Sequence, residues 1–306
     1  MNFSDLNLDL QGVMRRTYAN LLYKSTFMNF LNPAFMQVAR STGTPVIEVI
    51  KQMDTPLNQR EGVEIKTALT NSLAGYNSVM VKLTDLALDY SFRISPIMTT
   101  TPLENVIQGQ MDKKDSQIAK AIDTYGYKKL SNAITGYSDG SQAYSVGQVI
   151  KWAPSTKDDY VDTVNTLKSI LFDRDIYDGY QLGLISTEYA KYVSALTSII
   201  KYETRTGVEA VDRGVVAAAY GVDTFEINSG VVPTGVKGFF GHAIAAVGDM
   251  FFSAMAQYNG NFPGFPGYWV LEGNILFGAE VVRPEAIIKL ASTEVVKPTT
   301  PTEQGQ

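Results

Sequence analysis

The stretch from Thr101 to Leu130, TPLENVIQGQMDKKDSQIAKAIDTYGYKKL, carries the signals of one long helix. Thr101 stands at the N-cap, Pro102 at the first helical position and Glu104 three residues after the cap. Together they make a capping box whose first turn is pre-set. Leu103, Ile107, Met111, Ile118, Ile122 and Tyr125 then recur at steps that keep them on one helical stripe. Gln108, Gln110, Asp112, Lys113, Lys114, Asp115, Gln117 and Lys120 fall between them and predict a polar outer face. At roughly 1.5 Å per residue the helix runs about 40 Å, the width of a small domain. Gly109 opposes it weakly, at about 1 kcal/mol relative to alanine. Such a helix is a strut that needs something flat to pack against.

Upstream, Val79, Val81 and Leu83 keep one alternating phase and Leu86, Leu88, Tyr90, Phe92 and Ile94 the other. This predicts a half-buried strand with a bulge at Thr84-Asp85. Thr44–Ile50 and Val63–Leu69 read as two further short strands around the polar turn Asp54 to Gly62. The segment is therefore expected to be an extended hairpin arm of about 50 residues, too thin to be stable alone in water. Nothing in the chain is an obvious surface for it. Before it, Met14–Phe35 has Tyr18, Leu21, Leu22, Phe27, Phe30 and Leu31 at loose helical spacing, ended by Asn32-Pro33. Two readings stand side by side: an arm that gains order on another surface, or an amphipathic helix on its own domain.

Downstream, Ile134–Gln148 reads as a Gly/Ser/Tyr loop. Ser155 and Thr156, with Asp158 and Asp159 three residues on, cap a helix whose stripe is Tyr160, Val164, Leu167 and Leu171. Tyr180–Ile185 is a short strand, and a helix from Ser186 or Thr187 carries Tyr189, Val193, Leu196 and Ile200 on one face. Short strands are expected at Gly214–Ala219 with Gly221–Ile227, at Ala243–Val247, at Trp269–Phe277 with Ala279–Val282, and at Ala286–Leu290 after Arg283-Pro284. Without regular βαβ alternation the fold class is α+β. Lys297–Gln306 reads as a disordered tail.

Composition narrows the function. The 306 residues are 45% hydrophobic but only 19% charged, with 17 Tyr and 14 Phe. Interfaces deplete Lys, Glu and Asp and favour aromatics, so extensive assembly is one reading and an ordinary soluble protein the other. Net charge is −5 without a basic stripe, which disfavours tight duplex binding. No cysteine is present, which excludes disulfides, thiolate zinc and cysteine nucleophiles. No signal peptide or membrane-spanning run is visible, and the chain is expected to be cytosolic at synthesis.

The sequence carries no complete catalytic or ligand-binding motif. Gly136-Tyr-Ser138-Asp-Gly140 has the nucleophile-elbow spacing, but a helix precedes it and a polar loop follows, so it reads as a flexible turn. The single histidine, His242, reads as structural. Asp173-Arg-Asp175-Ile-Tyr-Asp178-Gly179 fails as a calcium loop, because Tyr177 and Leu184 occupy ligand positions, and reads as an acidic turn. No phosphate-binding glycine loop occurs. No cofactor, metal or catalytic residue is expected, and the chain is not read as an enzyme.

Five phrases in this order resemble a known family. They are Val79–Ile94 (VMVKLTDLALDYSFRI), Ile118–Tyr127 (IAKAIDTYGY), Tyr180–Ser186 (YQLGLIS), Gly221–Phe225 (GVDTF) and Phe277–Pro284 (FGAEVVRP). The co-linear set, over roughly residues 10 to 292, is similar to the major capsid protein of tailed bacteriophages, the HK97 fold. The resemblance implies an N-terminal arm at 1–43 and an extended β-hairpin loop at 44–88. It implies a peripheral domain at 89–137 plus 281–292, with the spine helix at 101–130, an axial domain at 138–280 and a tail at 293–306. It implies a structural virion protein, assembled in the host cytoplasm from hexamers and pentamers into an icosahedral shell around double-stranded DNA. The partners so implied are further copies of the chain, a separate scaffolding protein, a portal, a decoration protein and DNA met without regard to sequence; a membrane is not among them. Intersubunit contacts are implied for Asn58, Gln59, Arg60 and Glu61 at the hairpin tip and for Tyr18 and Phe27 on the arm. The alternatives are an encapsulin-like compartment shell and, remotely, a serine hydrolase using Ser138 and His242.

Overall fold

The computed structural model describes residues 21, 24–30, 46–52, 76–94, 103–134, 148–203, 221–259 and 268–292. The hairpin tip, the strand expected at Val63–Leu69, the Ser138 turn, the strand expected at Gly214–Ala219 and the tail lie outside them.

The long helix is present as α2, Leu103–Ala133, preceded by a one-turn helix α1, Thr26–Phe30. Met111, Ile118 and Ile122 are buried and Tyr125 half-buried, and the stripe continues through Tyr127, Leu130 and Ile134. Asp115, expected on the polar face, is fully buried. It sits four residues after Met111 and three before Ile118, so geometry puts it inside the stripe despite its charge. The cap expected at Thr101 precedes the described part of the helix.

The strands form three sheets. In the first, β1 (Val46–Gln52) pairs antiparallel with β2 (Tyr76–Lys82), from Val46↔Lys82 to Gln52↔Tyr76. Opposite Ile47 and Val49 stand Val81 and Val79, favourable β-branched pairs, and Val63–Leu69 offered the same alternation, which cannot by itself choose a partner. Leu83–Asp85 is a single 3-10 turn where a bulge was expected, and it passes the chain into β3, Leu86–Ile94.

The second sheet joins β3 to a long hairpin, β8 (Ala246–Asn259) and β9 (Tyr268–Val281), in the order β3-β9-β8. Residues 269–282 were expected as two strands, yet β9 runs unbroken through Gly278. The helix α2 packs on β9 and β3. The third sheet has the order β4-β10-β7-β5-β6, with β4 Gln148–Lys151, β5 Tyr180–Ile185, β6 Val222–Ile227, β7 Val236–His242 and β10 Ile287–Ala291. Strand β4 was not among the expected strands; four residues bounded by a polar stretch carry too little periodicity to declare themselves. On β5 and β6 of this sheet lies α4 (Ser186–Glu203), and α3 (Lys157–Phe172) packs against α4. Thr156 caps α3 in a full capping box with Asp159, and Tyr160, Val164, Leu167 and Leu171 are its buried face, as the spacing predicts.

Strand β10 lies inside the third sheet, between β4 and β7, and β8 and β9 belong to the sheet beneath α2. A strand's sheet is set by distant partners that its own residues do not name.

His242 ends β7, where a strand was expected to begin, and opens a 3-10 turn, Ala243–Ala245. Its Nδ1 accepts from the Ile244 N–H at 3.1 Å, and its ring covers Gly179, at which a Cβ would lie 2.6 Å from Nε2. Gly179 has φ 64°, so the site suits glycine on both counts. Burial holds the imidazole below its ordinary value of 6.5, with Asp178 opposing. A depressed histidine contributes stability that is present above its unfolded pKa and lost as pH falls through the folded one. The melting temperature is therefore expected to fall between about pH 7 and 5. His242→Asn, whose Oδ1 still accepts from Ile244, should flatten that slope; an unchanged slope would assign it to other groups.

Candidate functional site

The hairpin arm joins the body at the Leu83–Asp85 turn. Asp85 accepts from Tyr125 Oη at 3.0 Å and from Lys129 Nζ at 3.2 Å, both on α2. Lys129 also donates to Glu280 Oε2 on β9 at 2.9 Å and lies 5.7 Å from the Tyr125 ring centroid. One ammonium thus ties turn, helix and sheet. Partial burial works against the charge on Lys129, but Glu280 and Asp85 outweigh it and hold the pKa above its ordinary value. Slight burial likewise opposes ionisation of Asp85, and the bonds from Tyr125 and Lys129 turn the balance downward. The Tyr125 hydroxyl is pushed up to about 12 by burial and by its bond to Asp85. These groups are charged or paired across the neutral range, so the joint is a fixed structural node. Beneath it, Gly278 of β9 presses against the Lys82 carbonyl, where a Cβ would overlap.

A second node holds the N-terminal segment. Asp123, buried on α2, accepts from Ser25 Oγ at 2.5 Å, Thr26 Oγ1 at 3.1 Å and the Phe27 N–H at 3.0 Å, with the Thr26 N–H at 3.3 Å. Ser25 Oγ in turn accepts from the Met28 N–H at 3.1 Å. The amides that α1 leaves open at its start are satisfied by a carboxylate from another helix. Burial pushes the Asp123 carboxyl up, against the lowering effect of these donors. Phe27 then meets Tyr127 and Phe277 edge-on at 5.5 and 6.2 Å, and Tyr127 stacks on Phe239 of β7 at 5.5 Å. Gly126 leaves the space that the Phe27 ring fills.

Phe27, expected at an intersubunit contact, is 1% exposed and belongs to its own chain's core. Of the two readings of the N-terminal segment, residues 24–30 follow the one that packs on its own domain. Tyr18, Asn58, Gln59, Arg60 and Glu61 lie outside the described residues. Asp85, Lys129, Glu280, Gly278 and Asp123 were not singled out as functional. Their available signal was Asp123-Thr-Tyr125-Gly-Tyr127, in which alternate residues reach three different partners. Among the described residues no group of three or more His, Asp or Glu could hold a metal, and no helix is long and apolar enough to cross a membrane.

No family model matches the sequence, and no curated protein does. Solved structures do match over most of the chain. A structure of Mycobacterium phage Che8 aligns at TM-score 0.58 and 13% identity, covering 89% of this chain and 92% of that one. The capsid of the cyanophage P-SCSP1u aligns at 0.57 and 14%, covering 82% and 84%. The virus-like particle from Pyrococcus furiosus aligns at 0.50 and 12%, covering 90% and 95%. The fold is the HK97-type capsid fold, α+β, as the resemblance implied.

Proposed function

We propose that the chain is the shell subunit of a tailed-bacteriophage head, a structural protein without catalytic activity. The observation that carries this is the hairpin arm. Among the described residues β1 and β2 form a two-stranded sheet with no third strand, rooted on the body by the Asp85–Lys129–Glu280 node. Val46 and Met80 on it are 39% and 60% exposed. A ribbon of this kind does not stand alone in water, and a neighbouring copy supplies the surface it needs. The shared fold with phage capsids supports the same reading. In it, copies assemble as hexamers and pentamers into an icosahedral shell in the host cytoplasm. A separate scaffolding protein, a portal and a decoration protein complete the particle. Packaged double-stranded DNA touches the inner face without sequence readout, in keeping with a net charge of −5.

The test is expression of the chain alone, with the void fraction of a sizing column taken to negative-stain microscopy. Closed shells, tubes or capsomers are expected; a monomer that stays monodisperse at high salt and under crowding would overturn the proposal. Deleting Asn58 to Gly62 at the hairpin tip is expected to leave a folded subunit that makes no closed shells. Shells of normal form from that deletion would remove the tip from the assembly contacts. A second reading, a compartment shell holding a protein cargo, draws on the likeness to the Pyrococcus furiosus particle, at the lower TM-score. The contents of the purified shell, nucleic acid or protein, decide between them.

A further inference from the structure

Among the described residues the chain passes directly between the second and third sheets twice, and the two crossings lie side by side. One is the 3-10 turn Ala243–Ala245, between β7 and β8. The other is residues 282–286, between β9 and β10, which ends in a second 3-10 turn at Pro284–Ala286. The Ala245 carbonyl accepts from both the Val282 N–H at 2.9 Å and the Arg283 N–H at 3.0 Å. Just before the first crossing, a Cβ at Gly241 would lie 2.5 Å from the Ala286 carbonyl oxygen. The joint is thus backbone against backbone, and its fit depends on where Ala245 is held.

His242 caps the turn that carries Ala245. Because its Nδ1 accepts from the Ile244 N–H, the neutral ring must carry its proton on Nε2, the edge that rests over Gly179. A second proton would set an N–H against the Ile244 N–H, and the cap would be lost. The charged side chains near the joint are Asp178, Arg283, Glu285 and Arg174, whose guanidinium donates to the Glu285 carbonyl at 2.8 Å. Of these, exposed Asp178 acts on the ring and favours its charged form, while burial favours the neutral form and prevails. Tyr180, opposite His242 in β5, donates its hydroxyl to the Ile176 carbonyl at 2.8 Å and stays neutral in this range.

We propose that His242 is a proton-operated latch on this joint: the neutral ring holds the paired crossings closed, and the imidazolium releases them. Release begins at the Ile244 amide and passes through the Ala245 carbonyl to Val282 and Arg283, so both crossings loosen together. The sheet freed on one side is the one that roots the hairpin arm, through Gly278 and Glu280 of β9. Acid therefore reaches the setting of the arm by way of a side chain in a different sheet. The latch works within one chain and stands apart from the shell reading.

His242 is the only histidine, which gives a direct test. Hydrogen exchange of the full chain is followed by mass spectrometry between about pH 7.5 and 5, corrected for the intrinsic pH dependence of amide exchange. Slow exchange at the ring Cε1 carbon, read on the same samples, reports the titration of His242 itself. Protection of the amides of Ile244, Val282 and Arg283 is expected to fall roughly tenfold, with the midpoint of the ring, while α3 keeps its protection. His242→Asn should hold that protection level across the range. Asp178→Asn, at an exposed position, should carry the ring and amide midpoints to lower pH together. A ring that titrates while these amides stay protected overturns the latch. So does a loss of protection that persists in His242→Asn, that spreads equally to α3, or that stays in place when Asp178→Asn moves the ring.

Discussion

Asp123→Ala is expected to release the N-terminal segment from the body and to cost about 3 to 5 kcal/mol of stability. The side chain is 6% exposed, and its donors are two hydroxyls and two amides of Ser25, Thr26 and Phe27. Alanine leaves those donors in a space from which water is excluded, and an unmatched buried donor costs about 1 to 3 kcal/mol. The helix α1 has five residues, far below the length at which a helix holds itself. Its order therefore comes from the carboxylate at its start and from Phe27 between Tyr127 and Phe277. Loss of the first loosens the second. Against a total stability of about 5 to 15 kcal/mol, the change should be plain in a denaturant titration. Trypsin should cut after Lys24 well before it cuts the body. Asp123→Asn should recover less than half of the loss, since its amide nitrogen turns donors toward donors. An unchanged unfolding midpoint together with a protected Lys24-Ser25 bond would show that the node is not what holds the segment.

The node also shows how far the sequence could be read. Local signals gave local structure: the Thr156 capping box, the buried face of α3 and the course of α2 were legible because caps and helical periodicity act within a few residues. Alternation revealed β1, β3 and part of β9, but a period of two names no partner, so the pairing of β1 with Tyr76–Lys82 and the place of β10 were not legible. Asp115 and Asp123 were hard for another reason. A carboxylate on a helix is usually at the surface, and the donors that reward burying Asp123 come from about a hundred residues earlier in the chain. The candidate site was legible only as a phrase. Asp123, Tyr125 and Tyr127 point respectively to α1, to the root of the arm and to the third sheet, a division of roles that only tertiary contacts show.

Gly278→Ala is expected to leave the body folded at a cost of about 2 to 4 kcal/mol and to abolish closed shells. Gly278 lies in β9 opposite Asp249, with Phe277 beside it in the core. An added Cβ would overlap the Lys82 carbonyl oxygen and stand 2.7 Å from its carbon and 3.0 Å from the Leu83 nitrogen. These are backbone atoms at the root of the arm, so no side-chain rotation relieves the overlap. By contrast, nothing lies within 4 Å of a Cβ at Gly109, a glycine that imposes no such limit. The turn at Leu83–Asp85 must lift, which draws Asp85 from Tyr125 and Lys129 and swings β1 and β2 as one lever. A small displacement at the root grows along the arm, so assembly should suffer more than stability. Tyr125→Phe/Lys129→Met separates the two effects. It removes the same bonds without intrusion, and with partners about one-third exposed it should cost about 1 kcal/mol while still lowering the yield of closed shells. Denaturant midpoints measure the first quantity and counts of closed particles by negative stain the second. Closed shells from Gly278→Ala at the parent's yield would mean that the direction of the arm is not set at this joint.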